Sequence, residues 1–307
     1  VVKIGNVPQR RYCLEFILRG RSLALDELKE KIMNEATSVL VIGNAQIGHL
    51  HLHTNDPGAI LQEIARYGEI SQVKIDDMYE QQRDFLEGGK KKKKGITVIA
   101  QASGDGLIGI MKNIGAGEVL SHNPSVGEVL EAIGRAHTPS VILLPNDKNF
   151  LLACERAAAL SEKQVKVVPS RSIPQGISAL MALNPDESAD RNAERMKSSL
   201  RQVKTGKVTK AVRSTLALGM EIVEGNIVGI LDGDIVANGQ KLQETVLALI
   251  DKMITGREGL LTLFYGEEVS EEEASLLKER IEQCHPRIEV QVYYGGQIHY
   301  QYIVSVE

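Results

Sequence analysis

The sequence predicts a small α+β domain over residues 1–89, followed by two α/β lobes over 90–205 and 206–307. Three observations lead there. Up to Asp76, short period-two strands and two helices alternate without a βαβ rhythm. From Gly95 onward, buried strands and helices alternate, as parallel βαβ units require. After Thr205-Gly206 the pattern changes again, to closely spaced strands with turns at Gly225-Asn226 and Asp232-Gly233.

The first strand is Tyr12 to Leu18. Tyr12, Leu14, Phe16 and Leu18 share its apolar face, which leaves Cys13, Glu15 and Ile17 on the other. A helix follows from Leu25 to Asn34, with acids in its first half. Ser38–Gly43 reads as a buried strand, and Ile47–Thr54 as its hairpin partner. Three of the seven histidines, His49, His51 and His53, alternate with apolar residues there and so face one side. A single such histidine reads best as a solvated polar residue; three in register favour metal binding or acid/base chemistry. Asn55-Asp56-Pro57-Gly58 ends the strand, Ala59–Tyr67 is helical and Glu69–Asp76 is a strand. Lys90–Lys94 reads as a solvated linker at a domain boundary.

In the lobes, strands are expected at Ile96–Ala100, Ser140–Leu144, Val165–Val168, Lys207–Thr215, Glu221–Val223, Ile227–Leu231, Ile235–Ala237, Gly259–Tyr265, Glu289–Tyr294 and Gln301–Val306. Helices are expected at Leu107–Ile114, Val126–Ala136, Asn149–Ser161, from Ile177, at Asp190–Val203, Leu242–Ile254 and Ser270–Cys284. Ligands or partners of the parallel lobe belong at its strand ends, at 101–106, 145–149 and 169–176.

Composition narrows the function classes. Net charge is −4, Trp is absent and Phe numbers four, which argues against nucleic-acid binding. No apolar run is long enough to span a bilayer, and the first residues are not a signal peptide. Cys13, Cys154 and Cys284 form no disulfide framework and fit a reducing cytoplasm. The absence of an initial Met hints at a piece of a longer protein.

Gly104-Asp105-Gly106-Leu107-Ile108-Gly109 is a literal G-x-G-x-x-G between a strand and a helix, and Glu118 and Glu128 stand near the spacing of a ribose acid. A nicotinamide-dependent enzyme is the alternative this suggests. Asp105 would face a pyrophosphate, however, and Glu128 falls in a helix, so a tight strand-to-helix turn is preferred. Ser170, Ser172 and Gly176 could hold phosphate, or Ser172-Ile173-Pro174 could simply start a helix. Cys154 reads as core, and His285 as a helix terminus. Ser270 followed by Glu271, Glu272 and Glu273 reads as a capped helix start. With Glu267 and Glu268 it makes an acidic cluster, which could also dock a basic partner.

Several signatures occur in order along the chain: Tyr12-Cys13-Leu14-Glu15-Phe16-Ile17-Leu18-Arg19-Gly20, His51-Leu52-His53-Thr54-Asn55-Asp56-Pro57-Gly58, Leu144-Pro145-Asn146-Asp147-Lys148-Asn149, Ile173-Pro174-Gln175-Gly176, Lys204-Thr205-Gly206, and the end from Tyr294-Gly295-Gly296-Gln297 to Val304-Ser305-Val306-Glu307. Through them the chain resembles the middle and carboxyl-terminal regions of the kinase subunit of bacterial two-component fatty acid kinase, a relative of dihydroxyacetone kinase. The resemblance implies a middle domain that supplies Cys13, His51 and His53 for phosphoryl transfer and forms a homodimer. It also implies a DegV-like terminal region that docks a DegV-like fatty-acid-binding protein through an acidic groove. The family reaction converts ATP and fatty acid to acyl-phosphate for phospholipid synthesis. ATP and Mg would be held by a domain that these residues do not include, so this portion is expected to be inactive alone. Two departures stand out. Where the family has a Gly-Gly-Gln-Thr-Met-Asn-Pro-Ser loop, the segment here is Gly117–Ser125 and the region is several residues short, and His49 replaces a basic or polar residue, so no family role is carried onto it.

Cys13, His51 and His53 could hold zinc, or a Cys13 thiolate could act directly as nucleophile; the residues leave both open. A non-catalytic dimeric scaffold that docks the binding protein is a further alternative.

Overall fold

The structure is a computed structural model and describes residues 10–43, 45–78, 95–121, 123–217, 219–254 and 259–307. The lysine run Lys90–Lys94 lies outside the described residues. The chain divides into two compact units, Val1–Lys91 and Lys92–Glu307.

The first unit is an antiparallel sheet with two helices. Strands β1 (Tyr12–Arg19), β2 (Thr37–Gly43), β3 (Ile47–Thr54) and β4 (Glu69–Asp77) lie in the order β2-β3-β1-β4. Period-two alternation sorts the faces as expected. Leu14, Phe16 and Leu18 of β1 and Leu50 and Leu52 of β3 are fully buried against Leu25, Leu28 and Ile32 of α1 (Leu25–Met33) and Ile60 and Ile64 of α2 (Pro57–Ile64). Each such side chain stabilises the fold by roughly 1.5–3 kcal/mol relative to exposure. Asp56 caps α2 by accepting from the Ala59 N–H at 3.0 Å, and Pro57 needs no donor in the first turn. The opposite face of the sheet carries Cys13 and the histidines.

The second unit contains two sheets and a hairpin. The parallel sheet orders β5 (Ile96–Gln101), β6 (Glu118–Leu120), β7 (Ser140–Leu144) and β8 (Gln164–Val167) as β6-β5-β7-β8. It is accompanied by α3 (Asp105–Asn113), α4 (Val126–Arg135), α5 (Leu151–Leu160), α6 (Ile173–Met181) and α7 (Ala189–Ser199). The six-stranded sheet takes β9 (Lys204–Lys210), β12 (Ile227–Leu231), β13 (Asp234–Gly239), β14 (Gly259–Tyr265), β15 (Ile288–Tyr294) and β16 (Tyr302–Val306) in the order β13-β12-β9-β16-β14-β15, with β14 and β15 alone parallel. Its core includes Val246, Leu249 and Met253 of α8 (Leu242–Met253) and Leu277 and Ile281 of α9 (Glu271–Cys284).

Two local expectations are corrected, and one strand was not anticipated. The strand read as Lys207–Thr215 is two: β9 ends at Lys210, and β10 (Thr215–Ala217) pairs with β11 (Met220–Ile222) in a separate hairpin. The chain turns at Ala211, which exchanges backbone bonds with Gly225 and Asn226 instead of continuing the ladder. Helix α6 starts at Ile173, four residues earlier than periodicity suggested, because Ser172 accepts from the Gln175 N–H and Pro174 fits the first turn. Strand β6 is three residues long, too short to show a period.

Candidate functional site

Cross-strand register assembles the polar face of the first unit. On it, His53 of β3 stands opposite Cys13 of β1, which stands opposite Asp76 of β4. In the next row His51 faces Glu15, and Glu15 faces Lys74. In the third row His49 faces Ile17. Directly opposed residues of antiparallel strands share a face, so three histidines, a cysteine, two carboxylates and a lysine form one patch.

Within it, side chains reach diagonally. Cys13 Sγ lies 3.8 Å from Nδ1 and 4.0 Å from Nε2 of His51, and the His51 and His53 rings meet edge to face at 5.2 Å. One donor atom each from Cys13, His51 and His53 falls within 4.8 Å of the other two. In tetrahedral zinc, with Zn–S about 2.3 Å and Zn–N about 2.0 Å, sulfur and nitrogen stand about 3.5 Å apart. Small side-chain rotations therefore bring these three atoms onto one ion, leaving a fourth position open. His49 belongs elsewhere: its Nε2 is 3.3 Å from Glu15 Oε1. Lys74 pairs with Asp76 at 3.0 Å.

Burial sets the protonation states. His51 is only 4 % exposed. Burial first, then the neighbouring His53, His49 and Lys74, pull it down to about 3. His49 and His53 are lowered by burial as well. Burial, then the carboxylates of Asp76 and Glu15, push the Cys13 thiol up to about 11. Without a cation, then, Cys13 is a thiol at neutral pH and His51 is a poor base to activate it. Neutral imidazoles and a thiol that ionises on coordination form the donor set of a borderline-soft divalent ion.

Sequence reasoning placed Cys13, His51 and His53 on adjacent strands. It did not use Glu15, Lys74 or Asp76. Their signal was present: Glu15 is two residues from Cys13, and Lys74 and Asp76 alternate along β4, but only the β1–β4 register puts them on the same patch.

In the second unit, the glycine-rich turn is filled by the chain itself. A Cβ on Gly104 would lie 2.4 Å from the Gly295 carbonyl oxygen, and one on Gly106 would lie 2.1 Å from that of Tyr294. The Leu107 N–H donates to Gly295 O at 2.9 Å, so the helix start that would greet a pyrophosphate is already bonded. The strand ends are tied together likewise. Asn146 donates from Nδ2 to the Gln101 carbonyl at 2.8 Å, its Oδ1 accepts from Ser170 Oγ at 2.7 Å, and Ser172 bonds Thr205 at 2.7 Å. Ser170 and Ser172 are thus engaged within the protein.

Of the acidic cluster, Glu273 is a capping residue: it accepts from the Ser270 N–H at 3.0 Å while Ser270 Oγ accepts from the Glu273 N–H at 3.2 Å. Glu268 accepts from Gln301 at 2.9 Å and pairs with Lys210 at 3.4 Å. Glu267, Glu271 and Glu272 are exposed and have no ion pair among the described residues, and their charges reach the T-shaped Tyr265–Tyr294 pair.

Over about 70 % of the chain the fold is similar to that of DegV family proteins. The DegV family protein Cg2579 from Corynebacterium glutamicum superposes with a TM-score of 0.54 at 13 % identity, covering 70 % of this chain and 97 % of that one. Residues 97–307 match the C-terminal domain of the FakA-like family of fatty acid kinase, and residues 9–85 match the middle domain of the same family. The chain belongs to the FakA-like family of fatty acid kinase proteins. It is 32 % identical to protein YloV of Bacillus subtilis over 312 residues, which is 96 % of this chain and 56 % of YloV. It is 33 % identical to an uncharacterised protein of Staphylococcus aureus over 310 residues, 96 % of this chain and 57 % of that one. The chain thus spans little more than half the length of these relatives. Among the described residues, no helix is long and apolar enough to cross a membrane.

Proposed function

We propose that this chain is the catalytic-linker and partner-docking portion of a fatty acid kinase subunit. The whole protein would transfer the terminal phosphoryl group of ATP, held with Mg by a domain outside these residues, to the carboxylate of a fatty acid. The acid would be presented by a separate DegV-like binding protein, and the product would be an acyl-phosphate for phospholipid synthesis. The observation that carries this reading is the convergence of Cys13, His51 and His53 within 4.8 Å on one sheet face, in a chain of this family.

Cys13, His51 and His53 would hold zinc, which when bound polarises a phosphoryl or carboxylate oxygen. The chain's own groups orient that centre. The β1–β3 register sets Cys13 against the two imidazoles, and the Glu15–His49 contact keeps His49 out of the cluster. Direct nucleophilic attack by Cys13 is disfavoured by the raised thiol. The acids Glu267, Glu271 and Glu272 would form the rim that meets a basic face of the binding protein. A homodimer would form through the first unit, where Val73 and Ile75 on edge strand β4 are about half exposed.

The test is reconstitution of the full-length protein with ATP and a fatty-acid-loaded DegV-like partner. Cys13→Ala, His51→Ala and His53→Ala should each abolish acyl-phosphate formation while partner binding persists. Full activity in all three would leave this chain as a docking scaffold.

A further inference from the structure

We infer that Lys74 is the anion-binding residue of the Cys13/His51/His53 face, its ammonium receiving a phosphoryl or carboxylate oxygen of the group the cluster acts on. The inference rests on the proposed role of that cluster. It begins from register: Lys74 stands opposite Glu15, one row from Cys13, on the patch side of β4. Among the described residues, it is the one cationic side chain whose charge bears on both Cys13 and His51. Arg11, immediately before β1, is engaged by Asp77 at 2.7 Å.

Charge on this face favours the assignment. A phosphoryl group in transfer spreads negative charge over its outer oxygens, and catalysis consists largely of positioning it and stabilising that charge. The three histidines are otherwise engaged: His51 and His53 converge on Cys13, and His49 Nε2 is 3.3 Å from Glu15 Oε1. Glu15 and Asp76 add negative charge to the same face. Lys74 is the one side-chain cation, among the described residues, that the sheet register places beside these two carboxyl groups.

Geometry makes it available. The Lys74 side chain is 51 % exposed, so its three donors are not used up by burial, and Asp76 holds it from one side at 3.0 Å. Burial alone would lower its ammonium, but the hydrogen bond and charge of Asp76, with Glu15 and Cys13, raise it overall and keep it charged. As a stability device an exposed pair of this kind contributes little. As a tether it leaves a charged, partly solvated ammonium beside the cluster. Asp76 is therefore a positioning residue, and Lys74 makes and breaks no bond.

The experiment titrates the full chain, loaded with zinc, with inorganic phosphate by calorimetry at fixed ionic strength. Lys74→Met should keep stoichiometric zinc and the wild-type melting temperature but weaken phosphate binding by about tenfold or more. Lys74→Arg, which keeps the charge, should recover affinity to within about threefold of wild type. Wild-type phosphate affinity in a zinc-loaded Lys74→Met protein overturns the inference, as does a wild-type chain that binds no phosphate at millimolar concentration. Failure of the underlying reading looks different: the wild-type chain takes up no zinc, and Cys13→Ala leaves phosphate affinity unchanged. The Lys74→Met comparison then decides the role of Lys74 in the metal-free chain.

Discussion

Cys13 Sγ lies 3.8 Å from His51 Nδ1, although the two residues are not paired in the sheet. Cys13 stands opposite His53, and His51 stands opposite Glu15. The contact is diagonal, and it leaves Glu15 free to turn the other way, toward His49. Three histidines that look equivalent along the strand are thereby divided into two that converge on Cys13 and one that pairs with a carboxylate.

That division predicts a metal-binding pattern. Cys13→Ala, His51→Ala and His53→Ala should each weaken zinc binding by about 100-fold or more, since losing a ligand exceeds the 10–100-fold typical of losing an outer partner. His49→Ala should fall within or below that outer range. Competition with a chromophoric chelator measures all four, and a loss for His49→Ala equal to that for His51→Ala would contradict the division.

In the metal-free chain, His51 should make the fold acid-sensitive. Its native value, about 3, lies below the ordinary 6.5, so its contribution is fully present above pH 6.5 and is lost as pH falls toward 3. The slope approaches about 1.4 kcal/mol per pH unit for one proton. Urea unfolding of wild type and His51→Gln across this window should show the wild type losing stability more steeply. Parallel curves would refute the prediction.

The glycine-rich turn offers a test of chain packing against cofactor binding. Gly106→Ala forces a Cβ to within 2.1 Å of Tyr294 O and should cost about 1–3 kcal/mol or more. Gly104→Ala adds a left-handed φ of 103° to a similar clash. At Gly109 a Cβ meets nothing within 4 Å inside α3, so Gly109→Ala should gain about 0.5–1 kcal/mol. Denaturant midpoints distinguish the three, and calorimetry should detect no NAD(H) or NADP(H) binding by the wild type.

For the acidic rim, function and stability should separate. Glu267→Lys, Glu271→Lys and Glu272→Lys together should weaken binding of a DegV-like partner by about tenfold or more at low salt, with the difference shrinking as salt rises. Ser270→Ala, which removes the cap of α9, should cost about 1 kcal/mol of stability and leave partner affinity unchanged. Titrations at two ionic strengths and a melting curve separate the effects.

Local geometry determined much of this protein from its sequence. Alternation along Ile47–Thr54 put His49, His51 and His53 on one face, the same period put Cys13 opposite the apolar Leu14 and Phe16, and Ser270 with Glu273 marked a helix start. These features depend on residues a few positions apart, whose spacing the backbone converts directly into a direction. What tertiary structure alone decided depends on segments far apart in the chain. The order β2-β3-β1-β4 chose which residues oppose Cys13, brought Lys74 and Asp76 onto its face and paired Glu15 with His49. Gly104 and Gly106 acquired their reason from Tyr294 and Gly295, across the whole length of the second unit. Periodicity says which way a side chain points; packing of distant strands says what it meets there.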